Sequence, residues 1–201
     1  MAADDALRPQ PIRAFIALKL PDDVIEFLRR IQSDLKKEGL NIKGVKWVAP
    51  ENIHLTLKFL GDIKHTDVDA IESAMQSVVA PFAPLTLSAT GLGAFPSVKR
   101  PRVLWSGVGG DVEALGRLQP RLEEQLSELG IEKENKKFKG HLTLGRIKGK
   151  VNADTIIDAL GRCGNRTSRG FVADRLYLIK SELKPAGPVY SDLFCAPLGV
   201  E

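Results

Sequence analysis

The sequence predicts an α+β fold built from two related lobes, on three observations. The tetrapeptide His54-Leu55-Thr56-Leu57 recurs as His141-Leu142-Thr143-Leu144, 87 residues further along. Strand-like and helix-like stretches alternate without long linkers, and each copy of the tetrapeptide has a helix and loop before it and a loop and helix after it. The chain of 201 residues, 43% hydrophobic and 27% charged, is long enough to bury a sizeable core as one domain over residues 1–201. A repeat of this period is too long for a solenoid and points to two lobes related by pseudo-symmetry.

The elements follow in order. Residues 13–18 form an apolar strand. Pro21 opens a helix, with Asp22 and Asp23 favourable in its first turn. Val24, Leu28, Ile31 and Leu35 recur at helical spacing, and Gly39 ends the segment. A short strand is expected over 45–48 and a strongly alternating one over 54–60. Thr66 is the expected cap of a second helix carrying Ile71, Met75 and Val79. Strands follow over 85–89 and 103–108. A third helix spans 111–129 with Val112, Leu115, Leu118, Leu122, Leu126 and Leu129 on one face, and Pro120 either kinks it or marks its start. The remaining elements are a strand over 141–147, a short helix over 153–160, and strands over 171–179 and 189–193.

Several classes are excluded. No apolar run approaches the length of a membrane span. The start, Met1-Ala2-Ala3-Asp4-Asp5, is acidic and unlike a signal peptide. Cys163 and Cys195 form neither a zinc pair nor a disulfide framework and read as reduced, partly buried thiols of a cytoplasmic protein. There is no phosphate-binding G-x-x-x-x-G-K-[ST] loop and no H-E-x-x-H zinc helix. Gly91-Leu92-Gly93 starts like a dinucleotide fingerprint, but Pro96 stands at its third glycine.

The repeat claims two of only three histidines, His54, His65 and His141. On a strand, alternate side chains share a face. Leu55, Leu57, Leu142 and Leu144 then anchor their strands, and His54, Thr56, His141 and Thr143 are presented opposite. If the lobes pack about a pseudo-twofold axis, the two His-Thr pairs converge across one cleft. That set suits acid–base chemistry on a phosphate without a metal or cofactor. One imidazole accepts a proton from a nucleophile and the other gives one to the leaving group. The threonine hydroxyls donate to phosphoryl oxygens. Two amphipathic strands with core histidines are the plain alternative, weakened by the identical context of both copies. His65 lies outside the repeat and is expected to be exposed and idle.

With these motifs the chain resembles the two-histidine phosphoesterase superfamily, and within it the RNA 2′,3′-cyclic phosphodiesterases, historically called 2′-5′ RNA ligases. The supporting stretches are 13–18, 47–61, 100–105, 141–146, and Ser181-Glu182-Leu183 followed by Gly187-Pro188-x-Tyr190. The resemblance implies a bilobal α+β fold, with an antiparallel sheet in each lobe, helices outside and a cleft between. It implies hydrolysis of an RNA 2′,3′-cyclic phosphate to a 2′-phosphate, with His54 as proton donor and His141 as proton acceptor. Thr56 and Thr143 would bind phosphate. The RNA partner, tRNA fragments included, would meet a monomer away from any membrane. A main activity of ATP-independent 2′-5′ RNA ligation, or a non-catalytic RNA-binding module, are the competing readings.

Charge sharpens the picture. The formal net charge is +4, yet residues 133–150 alone carry +6, directly around His141. A positive cleft attracts RNA phosphates, whereas a solvated loop is the ordinary reading of such a run. Arg146 is a phosphate-binding candidate, although regular alternation puts it on the face opposite His141, so a bulge or strand end is required to aim it. Lys99, Arg100, Arg102, Lys137, Lys139 and Tyr190 are candidates for RNA contact. Trp47 and Phe59 could stack on a base; core packing is the competing reading for both and the preferred one for Phe59.

Overall fold

In a computed structural model of the protein, residues 10–40, 44–185 and 187–199 are described. The acidic start of the chain and Ala186 lie outside the described residues. Strand β1 (Ile12–Leu18) is buried along its whole length except Arg13. Its apolar residues serve two sides: Ile12, Ala14, Ile16 and Leu18 join the main core, and Phe15 and Ala17 form a second small cluster with Ile179. Helix α1 (Asp22–Leu35) follows, with Val24, Leu28, Ile31 and Leu35 buried as their spacing requires. Gly39, at φ 93°, ends it.

Strand β2 (Val45–Trp47) precedes β3 (Leu55–Ile63), so His54 stands one residue before its strand. Helix α2 (Val68–Val79) is not capped by Thr66. The Lys64 backbone N–H instead donates to the Asp67 carboxylate, 2.9 Å away. Strand β4 (Leu85–Phe95) is longer than expected. Gly91, past the expected end of this strand, sits at φ 63° in a bulge inside it. Strand β5 (Val103–Gly110) leads into helix α3 (Val112–Glu128), which runs through Pro120 rather than starting there. Its middle leucines are buried, but Val112 and Leu129 at its two ends are exposed. Strand β6 (His141–Ile147), helix α4 (Ala153–Cys163), and strands β7 (Phe171–Ala173), β8 (Arg175–Lys184) and β9 (Gly187–Pro197) complete the fold. The single strand expected over 171–179 is divided at Asp174. Cys163 and Cys195 are free thiols.

The strands form a curled antiparallel sheet. Outward from its centre the order is β3-β1-β8-β9 on one side and β6-β5-β4-β7 on the other, with β2 added to β6. The halves meet in one residue pair, Leu55 with Leu142. The two expected sheets are therefore present, joined at their inner edges where the repeated motifs lie side by side.

Each motif carries a bulge at its fourth residue. Along β1, Ala17 pairs with Thr56 and Ile16 with Lys58, leaving Leu57 unpaired. Along β5, Trp105 pairs with Thr143 and Leu104 with Gly145, leaving Leu144 unpaired. A bulge shifts side-chain alternation by one, so two successive residues turn inward. Leu57 and Lys58 are both buried, as are Leu144 and Gly145. A buried glutamine from a helix then donates to each bulge carbonyl. Gln119 of α3 reaches Leu57 O at 3.3 Å, and Gln32 of α1 reaches Leu144 O at 2.9 Å. Each half of the sheet thus has its motif secured by a helix that belongs to the other half of the sequence repeat.

The inward turn of Lys58 has a cost that one ion pair meets. Its ammonium donates to Glu123 of α3 at 2.7 Å and to the carbonyl of Glu132 at 2.6 Å. The Glu123 carboxylate also accepts from Gln119 and from the Glu134 backbone N–H. The pair therefore staples the start of the loop that leads to His141. Removing one partner leaves a buried charge unpaired. Lys58→Met should lower stability by about 3–5 kcal/mol, and Lys58→Met with Glu123→Leu should recover most of it, as read from urea unfolding.

Candidate active site

The four leucines of the motifs are buried, and His54, Thr56, His141 and Thr143 are partly buried on the opposite face. The Leu55–Leu142 pair and the antiparallel sense set His54 on the Thr143 side and Thr56 on the His141 side. The structure thus brings all four together.

Both imidazoles are held alike. His54 Nδ1 lies 2.9 Å from the carbonyl of Asn52, and His141 Nδ1 lies 2.7 Å from that of Lys139. A carbonyl only accepts, so each Nδ1 bears hydrogen and each Nε2 is left for chemistry. The surroundings of the rings differ. His54 stacks on Phe15 at 4.6 Å with 21° between planes, and Tyr190 meets it edge-on at 5.5 Å. Burial among these rings lowers the His54 pKa to about 4, and the Asn52 carbonyl opposes the shift. His141 is met edge-on by Phe95 at 5.0 Å. Lys139 places its ammonium over Phe95 and Trp105, 5.3 and 4.8 Å from the ring centres. The Trp105 ring lies flat where β4 has Gly93; a Cβ there would come within 2.2 Å of it.

The bulge at Leu144 supplies the reversal that Arg146 requires. Its side chain is exposed, and its charge reaches Tyr190: burial raises the Tyr190 pKa, and Arg146 and Arg13 pull it down. Arg146 and Tyr190 therefore join the cleft, and Lys139 lines its second half. Lys137 is exposed on the loop before β6, and Lys99 and Arg100 are exposed at the connection between β4 and β5, where Arg102 also lies. Among the described residues, no side-chain hydrogen bond or ring contact ties those four to the histidines. Trp47 lies apart, with Lys36 of the segment after α1 over its ring at 5.3 Å. Phe59 is 55% exposed, contrary to the preference for core packing, because the Leu57 bulge turns it to the cleft face. His65 is exposed, as expected.

Sequence reasoning missed Phe15, Phe95 and Trp105 as walls of the site. Phe15 lies in a strand apolar on both faces, where alternation gives no signal, and Phe95 and Trp105 lie outside the repeated motifs. Among the described residues, no three metal-ligating His, Cys, Asp or Glu side chains cluster, and no helix is long and apolar enough to cross a membrane.

A base whose folded pKa is lowered leaves the unfolded chain the better proton binder between the two values. The His54 contribution to stability is thus intact above pH 6.5 and lost as pH falls toward 4. The NMR titration of His54 in the free protein should show a midpoint well below 6.5. Added inorganic phosphate should raise that midpoint, since an anion beside Nε2 favours the imidazolium.

The chain matches the family model described as LigT-like phosphoesterase over residues 18–105 and 110–190. It is 35% identical over 182 residues to the RNA 2′,3′-cyclic phosphodiesterase of Methanothermobacter thermautotrophicus, covering 90% of this chain and 96% of that one. It is 36% identical over 182 residues to the protein of the same name from Archaeoglobus fulgidus, covering 90% and 98%. A crystal structure of a Thermus thermophilus protein superposes with a TM-score of 0.76 at 28% identity, over 94% of this chain and 100% of that one. E. coli LigT complexed with 3′-AMP shares the fold, with a TM-score of 0.69 at 22% identity over 94% and 99% of the two chains. With both repeated motifs inside the matched spans, the chain belongs to the LigT-like phosphoesterase family.

Proposed function

We propose that this protein hydrolyses RNA 2′,3′-cyclic phosphate ends to 2′-phosphate ends by paired-histidine acid–base catalysis. The observation that carries the reading is the matched pair of imidazoles, each with Nδ1 on a carbonyl two residues back and Nε2 free, on adjoining strands. Water attacks phosphorus and loses its proton to Nε2 of His141. The bond from phosphorus to the 3′ oxygen breaks, and Nε2 of His54 protonates that oxygen. Thr56, Thr143 and Arg146 hold the phosphoryl oxygens as negative charge develops. His54, neutral in the free protein, takes up its proton as the anionic substrate arrives. The same site works without a cofactor, as a monomer in the cytoplasm, on RNA fragments such as those of tRNA. Lys139, Lys137, Lys99, Arg100 and Arg102 give the approach its positive charge.

The low basicity of His54 favours a second reading, with the roles exchanged. General acid and base steps contribute about 100- to 10,000-fold each, so His54→Ala and His141→Ala should each lose that much of kcat with the fold intact. Near-normal turnover in both would sink the proposal. Leaving-group dependence assigns the roles. An aryl phosphodiester needs no protonation to depart, so the variant lacking the acid should lose far less on it than on a cyclic nucleotide. His54→Ala is expected to be that variant.

A further inference from the structure

A cyclic phosphate is only the end of an RNA strand, and the rest of that strand has to leave the cleft. The two ends of the central strands offer it different surroundings. At the far end of β3, Asp62 pairs across with Arg13 of β1, so opposite charges meet there. At the other end β2 lies beside β6. Residues 44–48 and 145–151 carry Lys46, Arg146, Lys148 and Lys150 there, with no carboxylate among them.

The pairing sets the face that these cations share. Lys46 is the direct partner of Arg146, and directly opposed residues of antiparallel strands lie on one face. Lys46 therefore stands on the cleft face with Arg146. The Lys148 backbone N–H donates to the carbonyl of Gly44 at 2.8 Å, which continues the same ladder past Ile147. Lys148 thus lies two residues along from Arg146, on its face and about 7 Å away. All three side chains are exposed. The ion pairs among the described residues engage other cations and leave these three without a carboxylate partner. A row of free cations at this spacing matches the repeat of phosphates along an extended strand.

Resting on the proposed function, we infer that Lys46 and Lys148 form a subsite for the internucleotide phosphates on the 5′ side of the cyclic end. Arg146 holds the reacting phosphate, and the two lysines hold the next ones as the strand leaves over β2 and β6. The subsite reads backbone charge and not base identity. It makes an oligonucleotide a better substrate than a mononucleotide with the same reactive ring.

The test compares kcat/KM for the adenosine trinucleotide ending in a 2′,3′-cyclic phosphate with kcat/KM for adenosine 2′,3′-cyclic phosphate. Each phosphate contact to a single strand adds a slope of about −0.7 to log affinity against log salt. With two contacts, the wild-type ratio of trinucleotide to mononucleotide should fall about 7-fold as salt rises fourfold. Lys46→Ala combined with Lys148→Ala should lower the ratio by at least that factor at the lower salt and remove its salt dependence. Lys46→Arg combined with Lys148→Arg should keep both. A wild-type ratio independent of salt, a ratio or salt slope unchanged in the alanine pair, or a loss in the arginine pair overturns the inference. If the wild type turns over neither compound, the proposed function fails separately. Calorimetry then decides the subsite: the alanine pair should weaken the trinucleotide 2′-phosphate relative to adenosine 2′-monophosphate by the same factor, and equal weakening of both overturns it.

Discussion

Everything in the cleft depends on one extra residue in each central strand. Without the bulges at Leu57 and Leu144, strict alternation would bury Phe59 and Arg146 and turn Lys58 outward. With them, each strand offers its histidine and threonine on one face and, after two inward residues, a further side chain on that same face. The bulges are fixed from behind by Gln119 and Gln32, both nearly fully buried. Where the second inward residue is Gly145, nothing more is needed. Where it is Lys58, the core must hold a charge, and Glu123 is there to pair with it.

Duplication gives the protein two similar half-sites, and chemistry requires them to differ. The backbone clamps on the imidazoles remain equivalent, so both rings present the same nitrogen. The difference lies in their walls. Phe15 and Tyr190 exclude water around His54 and lower its proton affinity. The half with His141 keeps an ammonium over its aromatic rings and a guanidinium within reach of Tyr190. Two chemically identical groups thereby acquire different electrostatic surroundings.

The parts of this design legible in the sequence were those written as period or repetition. Helix faces such as Val24, Leu28, Ile31 and Leu35 follow the 3.6-residue spacing, and the repeated tetrapeptide names the four residues at the centre. The bulges were not legible, because a leucine at a bulge is spelled like any other leucine. Regular alternation continued past an unseen bulge places Phe59 in the core and Arg146 opposite His141, and the extra residue reverses both. The strand of Phe15 was equally opaque, since one face meets the core and the other the cleft, and both are apolar. The strand expected over 85–89 stops short of the bulge at Gly91, beyond which β4 continues to Phe95.

Tyr190, which closes over His54, is contributed by β9, far along the chain from β1 and β3. Strand β8 fills the free edge of β1, and β9 adds to β8. One half of the sheet therefore gathers strands from early and late in the chain, whereas the other half, short β2 apart, consists of the consecutive strands β4, β5, β6 and β7. During synthesis the histidine made first is the one finished last. A nascent chain that has emerged through His141 holds both motif imidazoles, yet the edge of β1 is still bare and Tyr190 has not reached His54. Arrival of the final hairpin confers on that ring the surroundings that distinguish it from its twin.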